Sequence, residues 1–204
     1  MTMDPYRWLH LAGLAWLVFL AYWFLSALKL KKAKQRQARG ERLVQIAFMA
    51  VAYTLVFNDT LGRGWLGTRF VPASDAIGKI GLALAIVGVA LAIWARWHLR
   101  ENWSGTVTLK EEHELVRSGP YRYIRHPIFT GMLVALAGTV LALAEYRGLI
   151  ALAISILSFY FKDKKEERFL WQEFGESFRE HARRTGVFCR ASEGTRDPIS
   201  PDCG

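Results

Sequence analysis

The sequence predicts an all-α integral membrane protein with about five transmembrane helices, a cytoplasmic loop and a C-terminal amphipathic helix. Of its 204 residues, 52% are hydrophobic and 22% are charged. The two kinds separate into apolar and charged blocks, whereas a soluble domain would mix them. Many Trp and Tyr residues stand near block ends, where interfacial anchors lie. The length suits one domain, which we place at residues 1–190.

Five apolar blocks are the predicted spans. They cover residues 8–28, 43–61, 77–97, 128–144 and 149–161. The first is too long for a signal peptide and lacks a small-x-small cleavage site before Lys29, so we expect a retained anchor. Only Glu145–Gly148 separates the last two blocks, which is typical of a tight helical hairpin. The fifth is short for roughly 30 Å of hydrocarbon, and a half-inserted or interfacial helix is the alternative.

The distribution of Lys and Arg predicts the orientation. Residues 29–42, 96–125 and 162–204 hold 22 of the 27 basic residues, and all three segments fall on one side of a five-span chain. The positive-inside rule places that side in the cytoplasm and the N-terminus outside. The formal net charge of +9 is then mainly a topology signal with some attraction to anionic lipid. We expect no nucleic-acid partner, since no basic segment lies on a recognisable nucleic-acid-binding fold.

Residues 191–204 are rich in Ser, Gly, Pro and Asp, which predicts a disordered tail. Cys189 and Cys203 fall on the predicted cytoplasmic side, where a disulfide is not expected. Two cysteines without a histidine cluster do not form a zinc site, so we predict no metal.

Small residues at helical spacing in the third block permit close helix packing, either within one chain or between two. These residues are Gly81, Ala85, Gly88 and Ala92. The oligomeric state therefore stays open.

The junction before the fourth block, residues 117–127, combines cations and aromatics in the run RSGPYRYIRHP. Ionisable side chains at the mouth of a membrane helix are unfavourable unless they bind something. A residue before proline avoids the helical region and proline favours the first helical position, so the fourth helix should begin at Pro127 with His126 extended. The N–H groups of its first turn, beside Arg122 and Arg125, form a candidate anion site. Alternatively, both arginines only reach to lipid headgroups.

A second polar segment, residues 162–178, follows the fifth block. Its apolar side chains at helical spacing are Phe169, Leu170, Phe174 and Phe178. The spacing predicts an amphipathic helix that lies back on the membrane or on the junction. Glu166 and Glu167 stand one turn beyond the block, where a carboxylate needs a cationic partner such as Arg125, His126 or a ligand. The alternative is a solvated face with Glu–Lys pairs.

These two segments resemble the signatures of the isoprenylcysteine carboxyl methyltransferase family, which has phospholipid methyltransferase relatives. Residues 119–131 match the pattern GPYRxxRHPxFxG, and residues 166–175 match EExxLxxxFG. The run HELV at 113–116 matches a third element, and the resemblance covers about residues 102–184. It implies an integral-membrane enzyme that transfers a methyl group from S-adenosylmethionine to a lipophilic or membrane-associated acceptor at the cytoplasmic interface. The implied acceptor group is a carboxylate, as in isoprenylcysteine.

The resemblance also implies the site residues, with the cofactor held between the cytoplasmic loop and the C-terminal helix. The residues implied to line the cofactor are His113, Glu114, Leu115, Val116, Tyr121, Arg125, His126, Pro127, Ile128 and Phe129. Glu166 would hold the cofactor's ammonium, and Arg125 with the helix start would suit its carboxylate. Tyr121 or Trp103 would face the sulfonium methyl.

Lys162 stands where the family has a substrate-binding Arg, and with Trp103 it is the candidate substrate-binding residue. Lys162 keeps the positive charge of that Arg, but a Lys cannot form two parallel hydrogen bonds with a carboxylate. Arg125 and His126 are the catalytic candidates. A carboxylate acceptor needs no general base, whereas an amine or thiol does, and His126 or His113 would then take the proton.

Three aromatic positions depart from the family. Phe129 replaces a frequent Tyr, and Phe178 and His181 replace Tyr residues of the C-terminal helix.

Alternative functions within enzymes are a phospholipid amine or small-thiol methyltransferase. From other classes, the alternatives are an NADPH-dependent sterol-type reductase with a similar Arg-His-Pro element and a non-enzymatic lipid-binding scaffold. The Glu166–Glu167 pair favours methyl transfer, because carboxylates attract the ammonium of S-adenosylmethionine and repel the phosphates of NADPH. The expected partners are a lipophilic or lipidated substrate and membrane lipid.

Overall fold

A computed structural model describes residues 6–28, 39–72, 74–99 and 115–188. Within these ranges the chain forms six α-helices and no named strand. They are α1 (Arg7–Ala27), α2 (Arg39–Phe57), α3 (Asp75–Leu99), α4 (Pro127–Leu143), α5 (Tyr146–Phe174) and α6 (Glu176–Arg184). The all-α prediction is thus confirmed for the described residues. The predicted tail, 191–204, lies outside them.

Two helices, α1 and α3, are long and apolar enough to cross a membrane. Shorter apolar stretches are Leu43–Phe57 in α2 and Pro127–Leu143, which is α4. Large apolar side chains such as Leu17, Phe24 and Phe48 are exposed on α1 and α2, as expected of helices that contact lipid. These features support a membrane protein. The number of five spans and their orientation stay predictions.

The fifth predicted span and the polar segment after it are one helix. α5 runs for 29 residues without interruption and ends at Phe174. Gly175, with φ +50°, ends the helix at a positive φ that suits glycine, and α6 follows at once. The prediction of one separate amphipathic helix over residues 162–178 is therefore wrong, because no breaker precedes Gly175. Its expected contact with the junction is confirmed, since Glu167 of α5 is ion-paired with Arg125.

Helices α3 and α4 pack with their backbones in contact. A Cβ atom added at Gly88 would lie 2.2 Å from the backbone nitrogen of Ala135, and one at Gly138 would lie 2.5 Å from that of Ala85. Only glycine permits this approach. The small residues singled out in the third block therefore pack within the chain, which fixes α4 against α3.

A buried ionic group lies where α4 turns into α5; we call Tyr6, Glu145 and Arg147 the far-end cluster. Arg147 is 0% and Glu145 2% exposed. Arg147 Nε donates to Glu145 Oε2 at 2.6 Å, and its Nη1 donates to the carbonyl of Asn58 at 2.6 Å. Tyr6 donates to Glu145 Oε1 at 2.9 Å. The cluster ties α5 to the ends of α1 and α2 and so sets the direction in which α5 runs toward the junction.

Candidate functional site

The junction is pressed against the end of α3. Residues Gly119–Arg122 form one 3₁₀ turn whose first residue has φ +58°. A Cβ atom at Gly119 would lie 2.3 Å from the His98 ring, so only glycine fits. This turn buries Tyr121 and leaves Arg122 exposed.

Helix α4 begins at Pro127, as predicted, and His126 precedes it with φ −121° and ψ 60°, outside the helical region. The fixed φ of proline suits the first helical position. The steric effect of proline on the preceding residue turns His126 out of the helix. Its side chain is thereby directed toward α5, where it meets carboxylates.

Arg125 is buried, and its guanidinium is held inside the protein. Its Nε lies 2.7 Å from Glu167 Oε1. Its Nη1 donates to the carbonyls of Ala182 at 2.7 Å and Thr185 at 3.1 Å, where α6 ends and a cation is favourable. The alternative that Arg125 only reaches to lipid headgroups is excluded. In this structure the Arg125 guanidinium contacts Glu167 and α6. Its contact with a cofactor carboxylate stays a prediction.

Four residues after α6, which we call the C-terminal strap (Thr185–Phe188), cover the start of α4. The backbone N–H of Arg125 donates to Gly186 at 2.8 Å, and that of His126 donates to Val187 at 3.2 Å. The Thr130 hydroxyl donates to the carbonyl of Phe188 at 2.9 Å. The strap thus satisfies the N–H groups just before the helix and holds α6 beside them.

His126 bridges two carboxylates of α5. Its Nε2 makes an ion-pair contact with Asp163, and its Nδ1 lies 3.5 Å from Glu166 Oε2. Burial alone would lower the pKa of His126, but the contacts with Asp163 and Glu166 outweigh it and raise the pKa to about 9. The ring is therefore a cation at neutral pH, and both of its nitrogens face acids.

The imidazole also begins a column of parallel rings. Its centroid lies 5.4 Å from that of Phe129, at an interplanar angle of 4°, and Phe129 lies 5.0 Å from Phe159 at 8°. Lys162 Nζ stands 5.3 Å from the centre of the Phe129 ring and 3.8 Å from Glu166 Oε1. The side chains of Lys162 and Glu166 are 17% and 24% exposed. They are thus the accessible edge of an otherwise buried cluster.

The remaining candidates divide into two groups. Tyr121, Ile128 and Phe129 share a buried apolar cluster, against which the partly buried Val116 packs. Burial and the charge of Glu166 raise the pKa of Tyr121 well above its usual value, so its hydroxyl stays protonated. Leu115 is partly buried and Pro127 is buried. Trp103, His113 and Glu114 lie outside the described residues.

Sequence reasoning missed the role of Asp163, which is 1% exposed. A signal was present: Phe159, Asp163 and Glu167 are spaced by four residues and share one face of a helix. The division of the fifth block from the polar segment at Lys162 hid this continuity. The sequence carries no comparable signal for the strap, because the hydrogen bonds between the strap and the junction depend on where α6 ends.

His126, Asp163 and Glu167 offer ligand atoms that lie within 4.8 Å of one another, an arrangement that would suit a metal ion. Arg125 already places a positive charge on Glu167, and the His126 ring is itself protonated. A divalent cation would meet two neighbouring cations in the same space. The group is better described as a balanced cluster of two cations and two anions.

Together, the apolar helices and the buried ionic site at their ends define a helical membrane protein with a polar site on the rim of its bundle. Residues 81–172 match the sequence model of the isoprenylcysteine carboxyl methyltransferase (ICMT) family. The matched residues include the junction and the acids of α5. The chain resembles this family over these residues, and the resemblance predicted from its motifs is confirmed.

Individual relatives agree with this match. An uncharacterized protein of Haemophilus influenzae is 27% identical over 74% of this chain and 85% of its own length. Protein-S-isoprenylcysteine O-methyltransferase B of Arabidopsis thaliana is 31% identical over 53% of this chain and 56% of its own length. The cobalt-zinc-cadmium resistance protein CzcN of Cupriavidus metallidurans is 32% identical over 61% and 52%, respectively. The chain thus spans about half the length of these last two relatives.

Proposed function

We propose that the protein transfers a methyl group from S-adenosylmethionine to the carboxylate of a lipophilic, isoprenylcysteine-like acceptor at the membrane interface. The observation that carries the proposal is Glu166. This carboxylate is partly exposed and stands between the buried His126 and the accessible Lys162. The family implies the methyl donor, and a carboxylate in this position suits the donor's ammonium group.

The other residues of the site fit the donor as well. Its carboxylate is attracted by the helix dipole at the N-terminus of α4, where the strap already accepts from the N–H groups of Arg125 and His126. The aromatic ring of Tyr121 suits a sulfonium cation. When bound, S-adenosylmethionine supplies an electrophilic methyl group. The protein's own contribution is to bind and align donor and acceptor, since the displacement requires an in-line geometry.

The state of His126 favours a carboxylate acceptor over an amine or a thiol. A general base must be unprotonated and within reach of the acceptor's proton. His126 is protonated at neutral pH and faces Asp163 and Glu166 with its two nitrogens. A carboxylate is already ionised at neutral pH and needs no base. Lys162, a compact accessible cation, is the candidate to hold it.

The domain and its orientation are part of the proposal. Residues 1–190 would form one membrane domain of about five spans, with the N-terminus outside. The site would then face the cytoplasm, on the side that holds most of the Lys and Arg residues. Protein tagging at each terminus, followed by protease access to sealed membrane vesicles, distinguishes this orientation from the reverse.

Titration calorimetry of the purified protein with S-adenosylhomocysteine tests donor binding. We expect Glu166→Gln to raise the Kd at least about ten-fold, equivalent to about 1.4 kcal/mol, because the neutral amide loses the attraction to the ammonium. Glu173→Gln, at an exposed position on the same helix, is the matched control and should leave the Kd unchanged. Equal Kd values for the two variants would remove Glu166 from the site. Binding of NADPH alone would support the reductase instead.

Transfer of a labelled methyl group identifies the acceptor. A farnesylated cysteine with a free carboxylate should be labelled, whereas its carboxamide should not, since the amide offers no ionised oxygen. Labelling of phosphatidylethanolamine or of a small thiol in place of the carboxylate would contradict the proposed acceptor while leaving the donor site intact.

A further inference from the structure

We propose that Asp163 is a positioning residue of this site: it holds His126 so that the imidazole Nδ1 faces and orients Glu166. The inference rests on the proposed function, because Glu166 is the carboxylate assigned there to the donor's ammonium. Asp163 does not itself touch the donor in this scheme. It acts through the ring of His126.

The first support is the geometry of the relay from Asp163 to His126 to Glu166. Asp163 is 1% exposed and contacts His126 Nε2, the ring nitrogen opposite the one that faces Glu166. The ring cannot turn freely, because it lies parallel to Phe129 at 5.4 Å. A ring held at one nitrogen and stacked on its face presents its second nitrogen in a fixed direction.

The second support is the balance of buried charge. Neither carboxylate oxygen of Asp163 has a hydrogen-bond partner among the described residues. Its ion-pair contact is with His126, which is therefore the cation that compensates this carboxylate. A buried carboxylate without a cation is strongly unfavourable. The neighbouring cation, Arg125, is already paired with Glu167, with the two charged groups 2.7 Å apart. Asp163 therefore favours the protonated ring, which is the form that donates from both nitrogens.

The third support is that Glu166 has a competing partner. Lys162 lies 3.8 Å from its other oxygen. If the ring lost its proton, the ion pair at Nδ1 would be lost, and Lys162 would be free to draw Glu166 toward solvent. The other charged groups facing His126 are Glu167 on α5 and His181 on α6, besides the neighbouring Arg125. His181 stays neutral at pH 7, because burial and the cations Arg117, Arg125 and His126 lower its pKa to about 4.

Asp163→Asn tests the inference, since the amide keeps the shape but removes the charge. The ring of His126 is observed by nitrogen NMR with labelled histidine in detergent, and its signal is assigned with His126→Gln. We expect its titration midpoint to fall by at least about one pH unit, because a contact that raises the pKa is removed. Glu173→Gln is the control and should not move it.

Binding of S-adenosylhomocysteine is then measured at pH 6.0 and pH 8.5. The wild-type Kd should differ little between the two, because His126 stays protonated at both. For Asp163→Asn we expect a Kd near the wild-type value at pH 6.0 and at least about three-fold weaker binding at pH 8.5, because about a quarter of the rings stay protonated there. This recovery at low pH is the outcome that a purely structural role would not produce.

Each contrary result has a distinct meaning. Equal weakening at both pH values, or no weakening at either, would overturn the positioning role. An unmoved titration midpoint would show that Asp163 does not control the proton of His126 and would overturn it as well. Failure of the wild-type protein to bind S-adenosylhomocysteine at any pH would instead contradict the proposed function.

Discussion

The far-end cluster and the junction cluster are two buried ionic groups of the described residues, about 30 Å apart along α5. They differ in the exposure of the groups that their contacts reach. In the far-end cluster, Arg147 and Glu145 are 0% and 2% exposed, and their other partners are backbone carbonyls and Tyr6. At the junction, the contacts of the buried His126 continue to Glu166, whose side chain is 24% exposed. Burial of charge is thus common to both, and at the junction it leads to the accessible charges of Glu166 and Lys162. Such an accessible charge, more than buried polarity, marks a ligand site.

The strongest test of this contrast removes the cation of the far-end cluster. Arg147→Met leaves Glu145 buried without its partner, and the expected loss of stability is about 3–5 kcal/mol. Thermal unfolding in detergent measures it, with the exposed Arg63→Met as control. The donor Kd of the protein that remains folded should not change. A ten-fold change in that Kd would mean that the far end also shapes the site.

The junction cluster should give stability an alkaline limit. The pKa of His126 is raised to about 9, so its contribution is complete below about pH 6.5 and is lost as the pH rises through 9. The magnitude is at most about 3 kcal/mol, from the shift of the pKa. Burial also raises the pKa of Glu167. Stability therefore falls further as the pH rises above the usual pKa of a Glu carboxyl.

His181 supplies the opposite limit. Its pKa is lowered to about 4, so the unfolded chain binds a proton more readily between pH 6.5 and 4, and stability falls with the pH there. Melting temperatures should therefore peak near pH 6.5. His126→Gln should flatten the alkaline limb alone. A wild-type plateau that persists through pH 9 would contradict the assigned state of His126.

A smaller effect is expected from Glu167→Gln, which weakens one ion pair but leaves hydrogen-bonding atoms in place. The loss of stability should be about 2 kcal/mol, because Arg125 keeps its contacts with the carbonyls of Ala182 and Thr185. Unlike Arg147→Met, this variant should also weaken donor binding several-fold, since Glu166 is the next residue. Calorimetry beside Glu173→Gln separates the two effects. An unchanged Kd would show that the Arg125–Glu167 pair serves only the fold.

The sequence was sufficient for features that depend on local chemistry. Pro127 fixed the start of α4, and the spacing of Gly81, Ala85, Gly88 and Ala92 indicated close packing. The charge run after residue 161 suggested a new helix, yet no residue before Gly175 breaks α5. Hydropathy reports the surroundings of a helix and not its continuity, so the fifth span and the polar segment were divided. The contact of Arg125 with α6 depends on tertiary packing and had no local signal.

The contact between α3 and α4 limits how a lipid chain can reach the site. Along this pair the backbones touch wherever glycine stands, and even a methyl group at Gly88 would collide with Ala135. An acyl or prenyl chain, which is several ångströms wide, cannot pass between them without separating the two helices. A membrane-borne acceptor must therefore approach along another face of the bundle, and the α3–α4 pair forms a closed wall behind it.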